Sequence, residues 1–443
     1  MNRFTTVWIL TVFMIFSALT SNVPADLIQY VKAEDPVYKW EKLSQTDLHN
    51  GAVLYELKLV SQVWQGITWQ HTLRIIKPKE VRKIPTLALL LIGADTEREG
   101  ELIEGMLMAN QIGAPVAIIH DIPNQPLFGG LKEDDLVAYS FLKFTETNDS
   151  TWPILLPMVK GSVRAMDAVQ EFMQSELDVR VSGFLVSGSS KRGWTTWLTS
   201  VVDKRVRAIA PMVYDNLNLP DQMKYQVESW GRFSEEISEY TDQGLPQRLL
   251  TNEKALEVIS NIVDPFVYRN RISIPKLIII GTNDRYWPLD ALNLYYKELI
   301  GETHILYVPN VGHNLEPGRV RALESLMAFF LKTDGSLKFP KLAWELKEKY
   351  GMIDLTITSD IKPLMVRAWT AKSQTKDFRD AEWEAFDMKQ EDSIYTHTLE
   401  KPAEGYAALF GEAVYFEGGR SFFLSTNVEI FQPTRQEKTL EFY

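Results

Sequence analysis

The sequence predicts an α/β protein: a mostly parallel sheet flanked by helices, interrupted by a lid-like helical insertion and followed by a small all-β unit. Three observations predict it. Continuous apolar runs at residues 85–92, 114–120, 179–186, 206–213 and 274–280 have the length and unbroken hydrophobicity of strands buried on both faces. Segments of helical periodicity separate them, which is the alternation of a parallel sheet. After Lys332-Thr333-Asp334-Gly335 the pattern changes to short alternating runs with turn residues between them, as antiparallel strands require.

Taken in order, the chain starts with Arg3 and an uncharged, mostly apolar run over residues 4–19, then Val23-Pro24-Ala25 before Asp26. This reads as a secretory signal peptide, residues 1–25, too short in its apolar run for a spanning helix of roughly 20 residues. Residues 25–41 form a polar and aromatic arm for the surface. Residues 52–63 and 67–77 are strands joined at Gln65-Gly66 and lead the sheet. A helix starts near Asp95, further helices cover 133–144 and 156–174, and residues 214–271 form the helical insertion. Residues 289–300 are expected as a helix, 304–308 as the last short strand, and a helix runs on to Phe330. The main domain is thus 26–335. Residues 336–443 make a sandwich-like unit with strands at 353–358, 365–371, 395–399, 406–415 and 422–430.

Of 443 residues, 45% are hydrophobic and 24% charged, a globular composition. A net charge of −11 argues against nucleic acid or an anionic membrane surface as partner. The chain has no cysteine, so disulfides, thiolate nucleophiles and zinc–thiolate sites are excluded. No His/Asp/Glu cluster has metal-ligand spacing and no Gly-rich phosphate loop is present; no metal or cofactor is expected.

The chemistry concentrates in VSGSSKRGWTTW. The strand over residues 179–186 turns sharply at Gly188-Ser189-Ser190 and leaves as a helix, the setting of a nucleophile elbow. Ser190 has a glycine two positions before it and Ser189 does not. Asp284 follows the strand at 274–280, and His313 follows the strand at 304–308, with Gly312 making room for its ring. Serine, acid and histidine in that order, each on a strand–loop junction, are the triad of an α/β-hydrolase fold. A serine hydroxyl is a poor nucleophile until an imidazole takes its proton, and a carboxylate fixes the imidazole tautomer. Asp215, after the strand at 206–213, is the alternative acid. The oxyanion hole is assigned to the backbone N–H of Lys191 and to Ala94, in the loop after the strand at 85–92. Arg192 is a candidate substrate-binding residue, and it departs from G-x-S-x-G by placing the second glycine at Gly193. Among the six histidines, His49, His71, His304 and His397 read as structural or surface residues, and His120 as a core or loop residue. The aromatics Tyr214, Tyr225, Trp230, Phe233 and Tyr240 are candidates for a lid over an apolar pocket.

With these residues in view, the sequence resembles the PhoPQ-activated pathogenicity-related family, which also takes in a secreted autocrine proliferation repressor of social amoebae. The resemblance rests on LIQYVKAEDPVYKW, IPNQPL, PMVKGSVRAMDAVQEF, GSSKRGWTTWL, GTNDRYWPLDA, VPNVGHNL, RAWTAKSQTKDFRDAEWEAF and LSTNVEIF. It implies an α/β-hydrolase fold, export to the periplasm or medium, a C-terminal β unit, and a link to virulence or antimicrobial-peptide tolerance. It names no substrate. Two functions follow: an exported serine hydrolase acting on an ester or amide of a small molecule or peptide, or a catalytically silent binding or signalling protein on the same scaffold. No membrane span is expected once the signal is removed.

Overall fold

The computed structural model describes residues 26–48, 50–94 and 99–433. The expected signal peptide, His49 and residues 95–98 of the expected oxyanion loop lie outside the described residues.

The apolar runs become the central strands. Three antiparallel strands lead in: β1 (Lys39–Asp47), β2 (Val53–Trp64) and β3 (Ile67–Lys77). They are followed by β4 (Thr86–Ile92), β5 (Val116–Ile119), β6 (Val181–Ser189), β7 (Val206–Met212), β8 (Lys276–Gly281) and β9 (Thr303–Val308). The order across the sheet is β1-β2-β3-β5-β4-β6-β7-β8-β9, and every neighbouring pair from β5 to β9 is parallel. All residues of β5 and β8 are buried, because helices cover both faces. On one face lie α1 (Leu27–Lys32), α4 (Leu155–Leu177) and α5 (Lys191–Val202), with Phe172 and Trp197 fully enclosed; on the other lie α2 (Glu99–Ile112) and α10 (Arg319–Thr333). α3 (Glu133–Thr147) borders the insertion, which folds as α6 (Leu219–Trp230), α7 (Ser238–Thr241), α8 (Leu245–Leu250) and α9 (Glu253–Val263).

The C-terminal residues form β10 (Leu342–Lys349), β11 (Met352–Ser359), β12 (Met365–Ser373), β13 (Glu384–Asp387), β14 (Lys389–Glu391), β15 (Ile394–Glu400), β16 (Tyr406–Glu417), β17 (Arg420–Ser425) and β18 (Glu429–Phe431). Four of them make a separate sheet, β10-β11-β15-β14. The others extend the main sheet beyond β9 in the order β17-β16-β12-β13, with β18 on β16, so one 14-stranded sheet runs through the molecule. Gly411 on β16 faces Ile357 and Leu355 of β11, which closes the two C-terminal sheets into a sandwich.

Several expectations need correction. The helix expected at 289–300 is two single 3-10 turns, Ala291–Leu294 and Tyr296–Glu298. Asp290 and Asn293 there turn to side-chain and backbone partners elsewhere, with Tyr225 donating to Asp290 and Asn293 to the Val428 carbonyl. The run at 422–430 is broken into two strands because Thr426 and Asn427 spend their groups on side-chain bonds. Strand β1 was not foreseen. It is an edge strand exposed at nearly every position, so it lacks the alternation that marks a half-buried strand. Strands β10, β13 and β14 were likewise unforeseen, and β13 and β14 are short and fully exposed.

Candidate active site

Ser190 stands between the end of β6 and the first turn of α5 with φ 58° and ψ −129°, a conformation that L residues adopt under strain. Its backbone N–H donates to the Met212 carbonyl at the end of β7 (2.9 Å), which ties the elbow to the next strand. Two glycines make the turn possible. A Cβ on Gly188 would lie 2.8 Å from the Arg192 carbonyl, and one on Gly193 would lie 2.9 Å from the Met212 carbonyl and 3.0 Å from Tyr214 Cβ. Gly193, one position later than G-x-S-x-G places it, is therefore what lets α5 sit against β7.

The other two expected site residues arrive on neighbouring loops. Asp284 follows β8 and His313 follows β9. Gly281 lets the loops approach, since a Cβ there would lie 2.6 Å from both the Val311 and Gly312 carbonyls. His313 Nδ1 and Asp284 Oδ2 are 2.8 Å apart. The second Asp284 oxygen accepts from the Tyr286 backbone N–H (2.9 Å). The Tyr286 ring lies over the imidazole with centroids 4.1 Å apart, so this tyrosine braces both Asp284 and His313. Nε2 of His313 is buried and has no hydrogen-bond partner among the described residues, so the Ser190 hydroxyl is not bonded to it. Ser190 and His313 line one cleft of about 740 Å³.

Asp215 does not meet the histidine ring. It is fully buried and accepts from Tyr295 OH (2.7 Å), while its other oxygen has no partner. Burial pushes its carboxyl up to about 8.

Lys191 and Arg192 are both buried and tied to α3. Lys191 Nζ donates to Glu133 Oε2 (2.8 Å) and Asp134 Oδ2 (3.0 Å). Arg192 forms a two-pronged pair with Glu133 (2.6 and 2.5 Å), and its Nε donates to the Ile122 carbonyl (2.6 Å). Burial would raise the Glu133 carboxyl, but Arg192 and Lys191 outweigh it and hold it well below the usual range. Arg192 therefore lines the cleft with its guanidinium already engaged. The Lys191 backbone N–H, at the first position of α5, has no acceptor within its own helix. Ala94 is buried in the cleft wall, and its carbonyl accepts from Asp121 N–H.

Tyr286, Glu133 and a segment of the C-terminal region join the site beyond the residues expected from sequence. Tyr286 was visible in GTNDRYWP, two residues past the acid; Glu133 carried no local signal. Residues 374–383, between β12 and β13, pack back against the loops that carry Asp284 and His313. Asn283 donates to the Ala381 (2.7 Å) and Arg379 (3.2 Å) carbonyls. Asn310 exchanges bonds with the Trp383 N–H (2.7 Å) and carbonyl (2.9 Å). Arg379 and Arg285 both grip Glu235 of the insertion. Among the remaining histidines, buried His71 is held by Ser61 (2.9 Å) and the Asp121 carbonyl (3.0 Å), and burial lowers it to about 4. Among the described residues no group of histidines and carboxylates could hold a metal.

A strand order with β4 and β5 exchanged, a serine elbow after β6, and acid and histidine loops after β8 and β9 define an α/β-hydrolase-fold protein. The sequence model of the PhoPQ-activated pathogenicity-related protein matches residues 27–379, and the chain belongs to that family. It is 31% identical to autocrine proliferation repressor protein A of Dictyostelium discoideum, over 92% of this chain and 89% of that protein. Similar solved structures include acetyl xylan esterase 1 from Thermoanaerobacterium sp. JW/SL YS485, with a TM-score of 0.49 and 18% identity over 70% of this chain and 94% of that one. An acetyl xylan esterase from Paenibacillus sp. R4 superimposes with a TM-score of 0.48 and 16% identity, over 69% and 92%.

Proposed function

We propose that the protein is an exported serine hydrolase that cleaves an ester or amide bond through an acyl-enzyme on Ser190. The observation that supports this best is the His313–Asp284 pair at 2.8 Å, set in the wall of the cleft that the strained Ser190 also lines. In the proposed reaction His313 Nε2 takes the Ser190 proton as Oγ attacks the carbonyl carbon. Asp284 keeps the Nδ1–H tautomer and stabilises the imidazolium. The Lys191 backbone N–H and the Ala94 loop carry the developing oxyanion. His313 then protonates the leaving group, and a water, activated by the same imidazole, releases the acid. Lys191 and Arg192 side chains act by holding the elbow to α3, because their donors are spent on Glu133, Asp134 and the Ile122 carbonyl.

The test is labelling of the folded protein with a fluorophosphonate. Wild type acquires an adduct at Ser190, Ser190→Ala does not, and Asp284→Asn reacts about 10⁴-fold more slowly because the imidazole takes the wrong tautomer. Export is carried by residues 1–25; sequencing the mature protein should find Asp26 first. Among the described residues no helix is long and apolar enough to cross a membrane. A part in virulence or peptide tolerance belongs to the same proposal, on the family's description. A second reading, a binding or signalling protein on a hydrolase scaffold, draws on the name of the Dictyostelium relative and on the absence of a Ser190–His313 bond. A folded protein whose cleft admits the fluorophosphonate yet gains no adduct at Ser190 selects it.

A further inference from the structure

We infer that an apolar chamber beside Ser190 receives the acyl half of the substrate and selects a compact apolar acyl group, between butyryl and benzoyl in size. The inference rests on the hydrolase reading above and names its substrate class.

Ser190 sits at the junction of two spaces. One is the polar cleft; the other is a chamber of about 130 Å³ roofed by the insertion. Ser190, Lys191, Asp134 and Tyr286 line both, whereas His313, Asn314, Arg285 and Arg319 line only the cleft. This sidedness assigns the halves of the substrate. The leaving group must be protonated by His313 Nε2 and then give way to water, so it lies on the histidine side. The acyl group stays bonded to Ser190 Oγ through both steps and takes the other side.

The walls set its character. A run of touching rings leads away from the imidazole: Trp287 on His313 (5.8 Å between centroids), Tyr214 on Trp287 (5.7 Å), Trp194 stacked on Tyr214 (5.2 Å) and Phe141 on Trp194 (6.0 Å). Leu249 and Ile259 add aliphatic wall. Several polar groups of the wall are spent within the protein. Tyr240 OH donates to Asp134 (2.9 Å), Asp134 also accepts from Lys191, and the Trp194 indole donates to the Val263 carbonyl. Among the described wall groups the Trp287 indole N–H is the buried donor left without an acceptor. A charged acyl group would lose its hydration there for at most that one neutral donor. The volume sets the size: an apolar cavity of about 150 Å³ holds one benzene.

The experiment is kcat/KM for p-nitrophenyl esters from acetate to decanoate, alongside Ser190 labelling by a fluorophosphonate. Expected is a rise of roughly fourfold per methylene from acetate to the butyrate–hexanoate range, then a fall at octanoate and decanoate. Leu249→Ala should move the optimum to a longer chain, a gain that misfolding cannot imitate, and Leu249→Trp should move it to acetate. An adduct at Ser190 with a flat profile, or one still rising at decanoate, overturns the chamber assignment and leaves the hydrolase standing. Neither adduct nor turnover overturns both.

Discussion

At the scale of single residues, the two candidate acids are separated by their partners. Asp284 has one oxygen on the imidazole and the other on a backbone N–H, whereas Asp215 is fully buried, accepts from one tyrosine hydroxyl and feels the carboxylates of Asp284 and Asp290. Asp215→Asn should keep activity where Asp284→Asn loses it. Asp215 also carries a pH signature. The unfolded chain releases its proton near about pH 4, the folded one at about 8. Between those values the folded state binds more protons, so its stability falls as pH rises. Asp215→Asn should therefore melt above wild type at pH 8, with the difference shrinking toward pH 4. Equal melting temperatures at pH 8 would remove this account. Glu133 works in the opposite direction: held low, it stabilises above the ordinary carboxyl range, and that stability is lost as pH falls. Glu133→Ala would leave the buried Arg192 charge without its carboxylate, at a cost of about 3 kcal/mol, measurable by denaturant unfolding.

At the scale of elements, the elbow is set by two glycines whose absent side chains let strand and helix meet. Gly193→Ala forces Cβ against the Met212 carbonyl and Tyr214. It should destabilise by about 1–3 kcal/mol and slow Ser190 labelling, since α5 must back away from β7. Labelling at the wild-type rate would show that the contact relaxes freely. Much of this level was legible in the sequence. Strands buried on both faces write continuous apolar runs, and β4, β6, β7 and β8 fall where those runs lie. The exposed β1 and β13 have no burial to pattern their residues. They exist because a neighbouring strand offers a register, Val53–Val60 for β1 and Arg367–Thr370 for β13, which no local window contains.

At the scale of the whole molecule, the C-terminal region and the α/β half share one sheet and one core. β17 meets β9, Tyr307 N–H donates to Ser425 Oγ (3.0 Å), and Phe329 and Phe330 of α10 lie in the same apolar cluster as Phe422 and Leu424. Removing residues 336–443 should therefore yield an insoluble or non-cooperative product; a monomeric 26–335 fragment that unfolds cooperatively and labels at Ser190 would refute this. The segment 374–383 adds a finer coupling, because it holds the loops that carry Asp284 and His313. Asn310→Ala removes both bonds to Trp383 and should lower kcat about tenfold, the equivalent of one or two lost hydrogen bonds, with KM little changed.

The central strands, the elbow, and the order of serine, aspartate and histidine can be read along the chain, because each is written by neighbouring residues: an apolar run, a tight glycine turn, a loop after a strand. The sequence also carries the family likeness across most of the chain. It takes the folded chain to show that Asp284 rather than Asp215 reaches the imidazole, that Glu133 occupies the Arg192 guanidinium, and that residues 374–383 brace the site. Each of these depends on a partner from 29 to 98 residues away. Whether a charged side chain meets substrate or protein is settled by which group occupies its donors, and spacing along the chain does not encode that.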